Sequence, residues 1–510
     1  MLLSKSIVLL SREDDAATME IELKLALDAR HAAALARQPE LAGCPRKRQA
    51  LHSEYFDTPD FALMRRGIAL RLRRVGHHRV QTLKAETGQV GALTRRPEWE
   101  VAVAGARPDF AVLPREALEL LHGIDLAGIV PVFVTEFRRV TWQVPLADGG
   151  AAEVALDRGE IRAGEVRAPL SELEIELKSG DEAGLFTLAD GLLRRLPLRV
   201  EPRGKAQRGY LLAGARVAAP VRAVRPALHA RQDAGEAWAA IVRAALAQLV
   251  ANVPGFLEQP DDIEYLHQLR VALRRLRAAA ALSGGLGIDA PAWVAELRAL
   301  MQALNPARDW DVFMEETLPR ALAHLSAMPP SPALLDALRA AAARARAEAQ
   351  RAVAAPACTA LVLRLERLLL TPPHAGVTAR DWSAALLDKR WKNLRKLAVG
   401  MERRGPGGLH EMRIAAKKLR YAADALAPLH GKRAEAFLKA LAALQDGLGQ
   451  ANDVHVAMQL LRDLRPVDAP RAFEAGLMAG VLAGESGRHG EASAELWRRL
   501  AKTRAFWRED

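Results

Sequence analysis

Residues 19–25 read MEIELKL, and the fold of the first part of the chain turns on them. Glu20, Glu22 and Lys24 alternate with Ile21, Leu23 and Leu25, so in an extended strand three full charges share one face and three apolar side chains the other. Such a face is either the wet side of a half-buried antiparallel sheet or the lining of a polar interior. The pattern recurs downstream. Arg71 and Arg73 alternate with Leu70 and Leu72, Glu98 and Glu100 flank Trp99, and Glu172, Glu174, Glu176 and Lys178 alternate with Leu173, Ile175 and Leu177. For one strand, the solvated face is the ordinary explanation. For the set, a shared interior makes a sharper demand: an unpaired buried ion costs several kcal/mol, so many cations and carboxylates facing each other need counter-ions and ligands. Carboxylate clusters suit Mg²⁺ or Mn²⁺, and Arg and Lys clusters suit phosphate oxygens.

Period-two stretches separated by Gly, Pro and Asp continue through residues 19–213, with helical patterns near 28–38, 113–123 and 183–196. This predicts an α+β domain built on an antiparallel sheet or barrel. Residues 214–232 carry no clear pattern and are expected to be a linker. From 233 the chain is rich in Ala, Leu and Arg at helical spacing, which predicts an all-α domain over 233–505. Within it, ALRAAAARARAEAQRA (337–352) is expected to form a long solvated helix.

The helical part contains an internal repeat. LHQLRVALRRLR (266–277) matches LHEMRIAAKKLR (409–420), which places His267, Arg270, Arg274 and Arg277 at the same spacing as His410, Arg413, Lys417 and Arg420. Each set lies on one helical stripe beside an apolar one. ARDWDV (307–312) is echoed by ANDVHV (451–456), with Asn452 where the first copy has Arg308. Two copies of one helical unit, about 233–370 and 380–505, are the simplest explanation.

The 510 residues carry a net charge of +12, unevenly placed. Residues 1–213 hold 31 Lys and Arg against 30 Asp and Glu, whereas the remainder holds 42 against 31, so the helical part is the basic part and suits an anionic partner. Two cysteines, Cys44 and Cys358, form neither a disulfide framework nor a zinc signature. No run reads as approaching the ~20 apolar residues of a membrane span. The first 18 residues turn acidic at Glu13, Asp14 and Asp15 and are expected to be a disordered or start-site extension ahead of Met19.

The ordered set of motifs in the first part resembles the CYTH domain, or triphosphate tunnel metalloenzyme fold. The E-x-E-x-K strand is Glu20, Glu22 and Lys24. YFDTPDFALMRRGIALRLR (55–73), TLK (82–84), RRPEWE (95–100), RRVTW (138–142), ALDRG (155–159), ELEIELKSG (172–180) and GKAQRGYLL (204–212) follow in the expected order. The resemblance implies an eight-stranded antiparallel tunnel barrel. Divalent metal, Mg²⁺ or Mn²⁺, would be held by Glu20, Glu22, Glu172 and Glu174, assisted by Asp157, Glu98, Glu100 or Glu176. Lys24, Arg71, Arg73, Lys84, Arg138, Arg139 and Lys205 would grip a linear triphosphate. Family activities include inorganic, thiamine and RNA triphosphatases and class IV adenylate cyclase, and the hallmark residues do not separate them.

HQLRVALRRLR, ARDWDVF, HEMRIAAKKLRY and LQDGLGQANDV (444–454) resemble the CHAD domain, which implies inorganic polyphosphate binding by His267, Arg270, Arg274, Arg277, Arg308, His410, Arg413, Lys417 and Arg420. The expectation is therefore a cytoplasmic inorganic triphosphatase, associated with polyphosphate and with no membrane partner. A non-catalytic polyphosphate scaffold, or an enzyme acting on thiamine triphosphate or ATP, are the alternatives. Nucleic acid is a weaker candidate for the basic helical surface.

Overall fold

A computed structural model of the chain describes residues 17–508, apart from 77, 87–90, 285, 287–290, 327, 400–405, 465–467 and 487–488. It divides into two compact units, residues 1–219 and 220–510. Most of the expected N-terminal extension, residues 1–16, lies outside the described residues, and Thr18 already belongs to the first strand.

The N-terminal unit is a closed antiparallel barrel of eight strands: β1 (Thr18–Ala26), β2 (Arg46–Asp57), β3 (Ile68–Val75), β4 (His78–Ala85), β5 (Leu93–Val103), β6 (Val130–Pro145), β7 (Ala151–Ala163) and β8 (Val166–Ser179). Their order around the barrel is β5-β4-β3-β2-β6-β7-β8-β1, and β1 closes the ring onto β5. A two-residue strand, β9 (Arg199–Val200), adds to β1 at Leu25 and Ala26. The closing strand is shared: Thr18–Leu23 pair with β5, and Glu22–Ala26 pair with β8.

Alternation along these strands sorts the side chains. On the outer face of β2–β5, Phe56, Leu70, Leu72, Leu83 and Trp99 form one core with Leu113, Ala117 and Leu121, at and beside the helix Arg115–Leu120. A helix over Glu182–Leu193 covers another part of the outer wall and buries Leu185, Phe186, Leu188 and Leu192. The interior is polar over most of its length and apolar at one end, where Leu51, Tyr55, Phe133, Phe137 and Ile161 meet Tyr210. Tyr210 lies on the helix Lys205–Leu212. That helix packs closely because Gly209 has no side chain: a Cβ there would stand 2.0 Å from the Phe133 ring.

The second unit is helical. Ala234–Glu258 is its central helix, with Trp238, Leu246 and Phe256 fully or almost fully buried and the Trp238 indole donating to Ala279 O at 2.8 Å. Among the described residues it is the one helix with the length and mean hydropathy (1.5) of a membrane span, which the sequence reading did not single out. Ala, Leu and Val dominate it between a few charges, and 67% of the apolar window is buried within its own unit. The repeated motifs lie on equivalent helices, Ile263–Leu282 and Pro406–Leu426, which also pack on each other. Their apolar stripes are core: Leu269, Leu273 and Leu276 in one, Met412, Ala416 and Leu419 in the other. Asp233 ties the start of one copy to that of the next. It caps the central helix through Gly235 N (2.7 Å) and accepts from Ala375 N and Gly376 N (3.0 Å each), just ahead of the helix Ala379–Ala398.

One feature departs from the sequence reading. The stretch 337–352 lies in the helix Pro332–Ala354, which is not simply solvated: Leu338, Ala341, Ala345 and Ala349 are buried along one face against Pro291–Val312. Alanines at that spacing carry little hydropathy signal but allow close helix approach. The patternless segment 214–232 makes hydrogen bonds at its start, where Ala215 N donates to Tyr210 O, and again from residue 221 onward. Val221 exchanges two hydrogen bonds with Asn252, Arg275 donates to Val224 O, and Ala379 N donates to Gln232 O.

Candidate active site

Strand register decides which charges meet inside the barrel. Across the β6–β7–β8 wall, Arg139, Asp157 and Glu172 are successive neighbours, and Lys24 on β1 lies beside Glu174. On the opposite wall Arg71, Thr82 and Glu100 are neighbours on β3, β4 and β5, as are Lys84 and Glu98, and Glu20 and Arg96.

The tightest group is Asp157, Glu172 and Glu174, with carboxylate oxygens all within 4.8 Å of one another. The Lys205 ammonium lies among them, 2.7 Å from Asp157, 2.5 Å from Glu172 and 2.8 Å from Glu174. Arg139 grips Asp157 with two bonds of 2.7 Å and reaches Glu174 at 2.5 Å, and Arg208 donates to Glu172 at 3.1 Å. Beside this group, Lys24 contacts Glu22 at 2.9 Å and Glu174 at 3.4 Å. Arg96 bridges Glu20 (2.7 Å) and Glu22 (2.6 Å), and Lys84 bridges Glu20 (2.8 Å) and Glu98 (3.0 Å). Burial disfavours every one of these charges, and the partners decide the outcome. It is outweighed at Glu20 by Lys84 and Arg96, and at Glu174 by Lys205, Lys24 and Arg139, so both carboxyls are held well below their usual range. At Glu172 and Glu98 burial prevails and the pKa is raised.

One cation stands apart. Arg73 is half-buried, bonds Ser53 Oγ at 3.2 Å, and among the described residues has no carboxylate within ion-pair distance. Burial, then Arg71 and Arg139, push its pKa down to about 10. Its neighbour Arg71 contacts Glu98 and Glu100 only at 3.4 Å and keeps a buried Nε–H without a partner. Tyr55 is the register partner of Arg71 and stacks on Phe133 at 4.5 Å. Burial opposes its ionisation, but Arg71, Arg73 and Lys205 outweigh it and hold the phenol below its usual value.

In the helical unit, Arg270, Arg274, Arg308 and His267 gather on two packed helices. Arg270 bonds Asn305, and burial, with Arg274 and Arg308 nearby, lowers its pKa to about 10. Arg274 has a buried Nε–H without a partner. Burial, then Arg308, keep the His267 pKa below its ordinary value. Arg277 is exposed. In the second copy His410 is exposed, Arg413 and Lys417 are half-buried, and Arg420 lies 3.6 Å from Asp446 and 3.7 Å from Asp424. The Asn452 side chain falls outside the described residues.

Comparison with known proteins agrees with this division. Residues 18–210 match the CYTH domain family, and residues 240–462 match the CHAD domain family. The chain joins a CYTH domain to a CHAD domain. An inorganic triphosphatase of Haemophilus influenzae is 33% identical over 195 residues, which are 38% of this chain and 54% of that protein. The chain thus spans about half the length of this curated relative. Among solved structures, the CHAD domain of the plant Ricinus communis is 32% identical, covering 56% of this chain and 98% of its own at a TM-score of 0.48. HpAC1 from Hippeastrum, a putative adenylyl cyclase described as having a dominant triphosphatase activity, is 20% identical over 39% of this chain at a TM-score of 0.28.

Within the CYTH domain, Glu20, Glu22, Lys24, Arg71, Arg73, Lys84, Glu98, Glu100, Arg139, Asp157, Glu172, Glu174 and Lys205 share the interior. Arg138 does not. It is exposed on the outer face beside Arg158, because Arg139, its neighbour, takes the inward position opposite Asp157. Glu176 faces inward but pairs with Lys178 at 2.5 Å, apart from the other cations. Arg96 and Arg208 were not singled out from the sequence. Arg96 lies two residues before Glu98 on the same strand face, and Arg208 lies three after Lys205 on one helical turn. The carboxylate donors of Asp157, Glu172 and Glu174, already gathered about a cation, fit a hard divalent ion.

Proposed function

We propose that the CYTH domain is a metal-dependent inorganic triphosphatase, cleaving tripolyphosphate to pyrophosphate and phosphate. The observation that carries this reading is the half-buried Arg73, without a carboxylate partner among the described residues, beside the buried and incompletely paired Arg71, facing an interior otherwise rich in carboxylates. A buried guanidinium without a counter-ion is stabilised by an anion, and its planar fork suits phosphate oxygens. Arg71, Arg73, Lys84, Arg96, Arg139, Lys24 and Lys205 would hold the phosphate chain. Asp157, Glu172 and Glu174, with Glu20 and Glu22 on the adjoining strand, would hold Mg²⁺ or Mn²⁺. When bound, the metal supplies charge neutralisation and polarisation of the reacting oxygens. The chain's own residues supply fixed positive charge around a loose phosphoryl-transfer transition state, and a barrel that limits solvent reorganisation. The activity of the Haemophilus influenzae relative supports the choice of an inorganic substrate.

The test is phosphate and pyrophosphate release from tripolyphosphate, ATP and thiamine triphosphate with Mg²⁺ or Mn²⁺. Tripolyphosphate should be the preferred substrate. Glu20→Gln combined with Glu22→Gln should abolish its turnover in a folded protein, and retained activity refutes the site. Turnover of ATP or thiamine triphosphate alone would point to an organic substrate, and binding without turnover to a scaffold.

We further propose that the CHAD domain binds inorganic polyphosphate through His267, Arg270, Arg274 and Arg308, joined by His410, Arg413 and Lys417. A regular polyanion rewards such a stripe by counter-ion release. Polyphosphate should bind in a salt-sensitive manner and displace DNA. Equal competition by DNA would show general polyanion binding instead.

A further inference from the structure

Lys205 occupies the position that a divalent ion needs. Its Nζ lies 2.5–2.8 Å from oxygens of Asp157, Glu172 and Glu174, and those oxygens are within 4.8 Å of one another. An octahedral Mg²⁺ takes its oxygens at about 2.0–2.1 Å. The two cations therefore claim one locus and cannot share it. We infer that Lys205 is an internal substitute for the metal, that metal entry expels its ammonium, and that the incoming triphosphate receives the expelled charge, so that metal and triphosphate bind cooperatively. This rests on the metal reading above and adds an order of dependence to it.

Three observations support the exchange. The carboxylates have other anchors: Arg139 holds Asp157 and Glu174, and Arg208 holds Glu172, so the cluster keeps its shape when Lys205 leaves. The helix carrying Lys205 is fixed by Gly209 and Tyr210 against Phe133, which leaves the flexible lysine stem as the moving part. The charges are also nearly balanced. Glu20, Glu22, Glu98, Glu100, Asp157, Glu172 and Glu174 face Lys24, Arg71, Arg73, Lys84, Arg96, Arg139, Lys205 and Arg208, while Glu176 is matched by Lys178, and the cation in excess corresponds to Arg73, which has no carboxylate partner among the described residues. A divalent ion alone adds positive charge to an already positive interior, and a triphosphate alone meets the carboxylates. Bound together they offset most of each other's charge, and Lys205 is the charge that changes partners.

The experiment uses the full chain and titrates Mn²⁺ by electron paramagnetic resonance, with and without bismethylene triphosphate, whose P–C–P bridges resist hydrolysis. Wild type should bind Mn²⁺ weakly alone and at least tenfold more tightly with the analogue. Lys205→Met should bind Mn²⁺ alone at least tenfold more tightly than wild type and lose most of the coupling. Unchanged or weaker Mn²⁺ binding by a folded Lys205→Met protein overturns the exchange. In wild type, Mn²⁺ and the analogue together should raise the melting temperature by more than the sum of their separate shifts, and additive shifts likewise overturn it. If neither protein binds Mn²⁺ even with the analogue, the metal reading itself falls. If the ternary complex forms but the variant gains nothing, only the exchange falls.

Discussion

Replacing Arg73 by methionine should make the ligand-free barrel more stable while destroying its affinity for triphosphate. The guanidinium is half-buried, has Ser53 as its hydrogen-bond partner, and has its pKa lowered from 12.5 to about 10 by burial and by Arg71 and Arg139. A base whose folded pKa is depressed penalises folding at every pH below that value, and the penalty fades only as pH rises from about 10 toward 12.5. At pH 7.5 it is present in full. A shift of this size corresponds to about 3 kcal/mol, reduced to about 1–3 by residual solvent screening. Methionine removes that cost and gives up one hydrogen bond of about 1 kcal/mol, leaving a gain of up to about 2 kcal/mol. For a unit of this size that is a rise in melting temperature of up to about 8 °C. With ligand the sign reverses. Losing a charged hydrogen bond to phosphate costs about 1.5–3 kcal/mol, or roughly 10–150-fold in affinity. Differential scanning calorimetry without ligand and calorimetric titration with bismethylene triphosphate read the two halves. A lower melting temperature, or affinity within threefold of wild type, would refute the reasoning.

Two further changes test other parts of the molecule. Gly209→Ala puts a Cβ 2.0 Å from the Phe133 ring, an overpacking that should cost at least about 1–3 kcal/mol in urea denaturation and displace the helix that positions Lys205. Wild-type stability of that variant would mean the helix is not seated as described. Polyphosphate binding to the helical unit should strengthen as pH falls below neutral. Burial and the nearby Arg308, Arg274 and Arg270 hold the His267 pKa below its ordinary value against the opposing pull of Glu264, and a bound polyanion favours its protonated form. Proton uptake on binding at pH 6.5, measured by calorimetry in buffers of different ionisation enthalpy, should disappear in His267→Gln, and its persistence there would assign it elsewhere.

The barrel was legible because charge and apolarity alternate so strictly in 19–25, 70–73 and 172–178 that each strand declares two faces. Which faces meet was not legible from any one strand. Arg138 and Arg139 are adjacent basic residues of equal promise, and only the register of Arg139 against Asp157 turns one inward and the other to solvent. Arg96 was overlooked because its strand was read for its acids, although the same alternation places it with Glu98. Arg208 required knowing that a helix begins at Lys205. In the helical unit the repeat was plain in the motifs. The buried alanine face of Pro332–Ala354 was hidden because alanine marks neither core nor surface by hydropathy.

The first strand is also the last to be satisfied. Its N-terminal half pairs with a strand that ends at Val103, and its C-terminal half pairs with one that ends at Ser179, while the lysine that settles among the carboxylates comes later still. A ribosome that has delivered half of this unit has therefore made no half-tunnel, only a sheet whose seam is open to water. The closed ring arrives in one step, after most of two hundred residues have been synthesised. A tag or truncation that disturbs Thr18–Leu23 acts on ring closure and on the ion pairs of Glu20 and Glu22 at once.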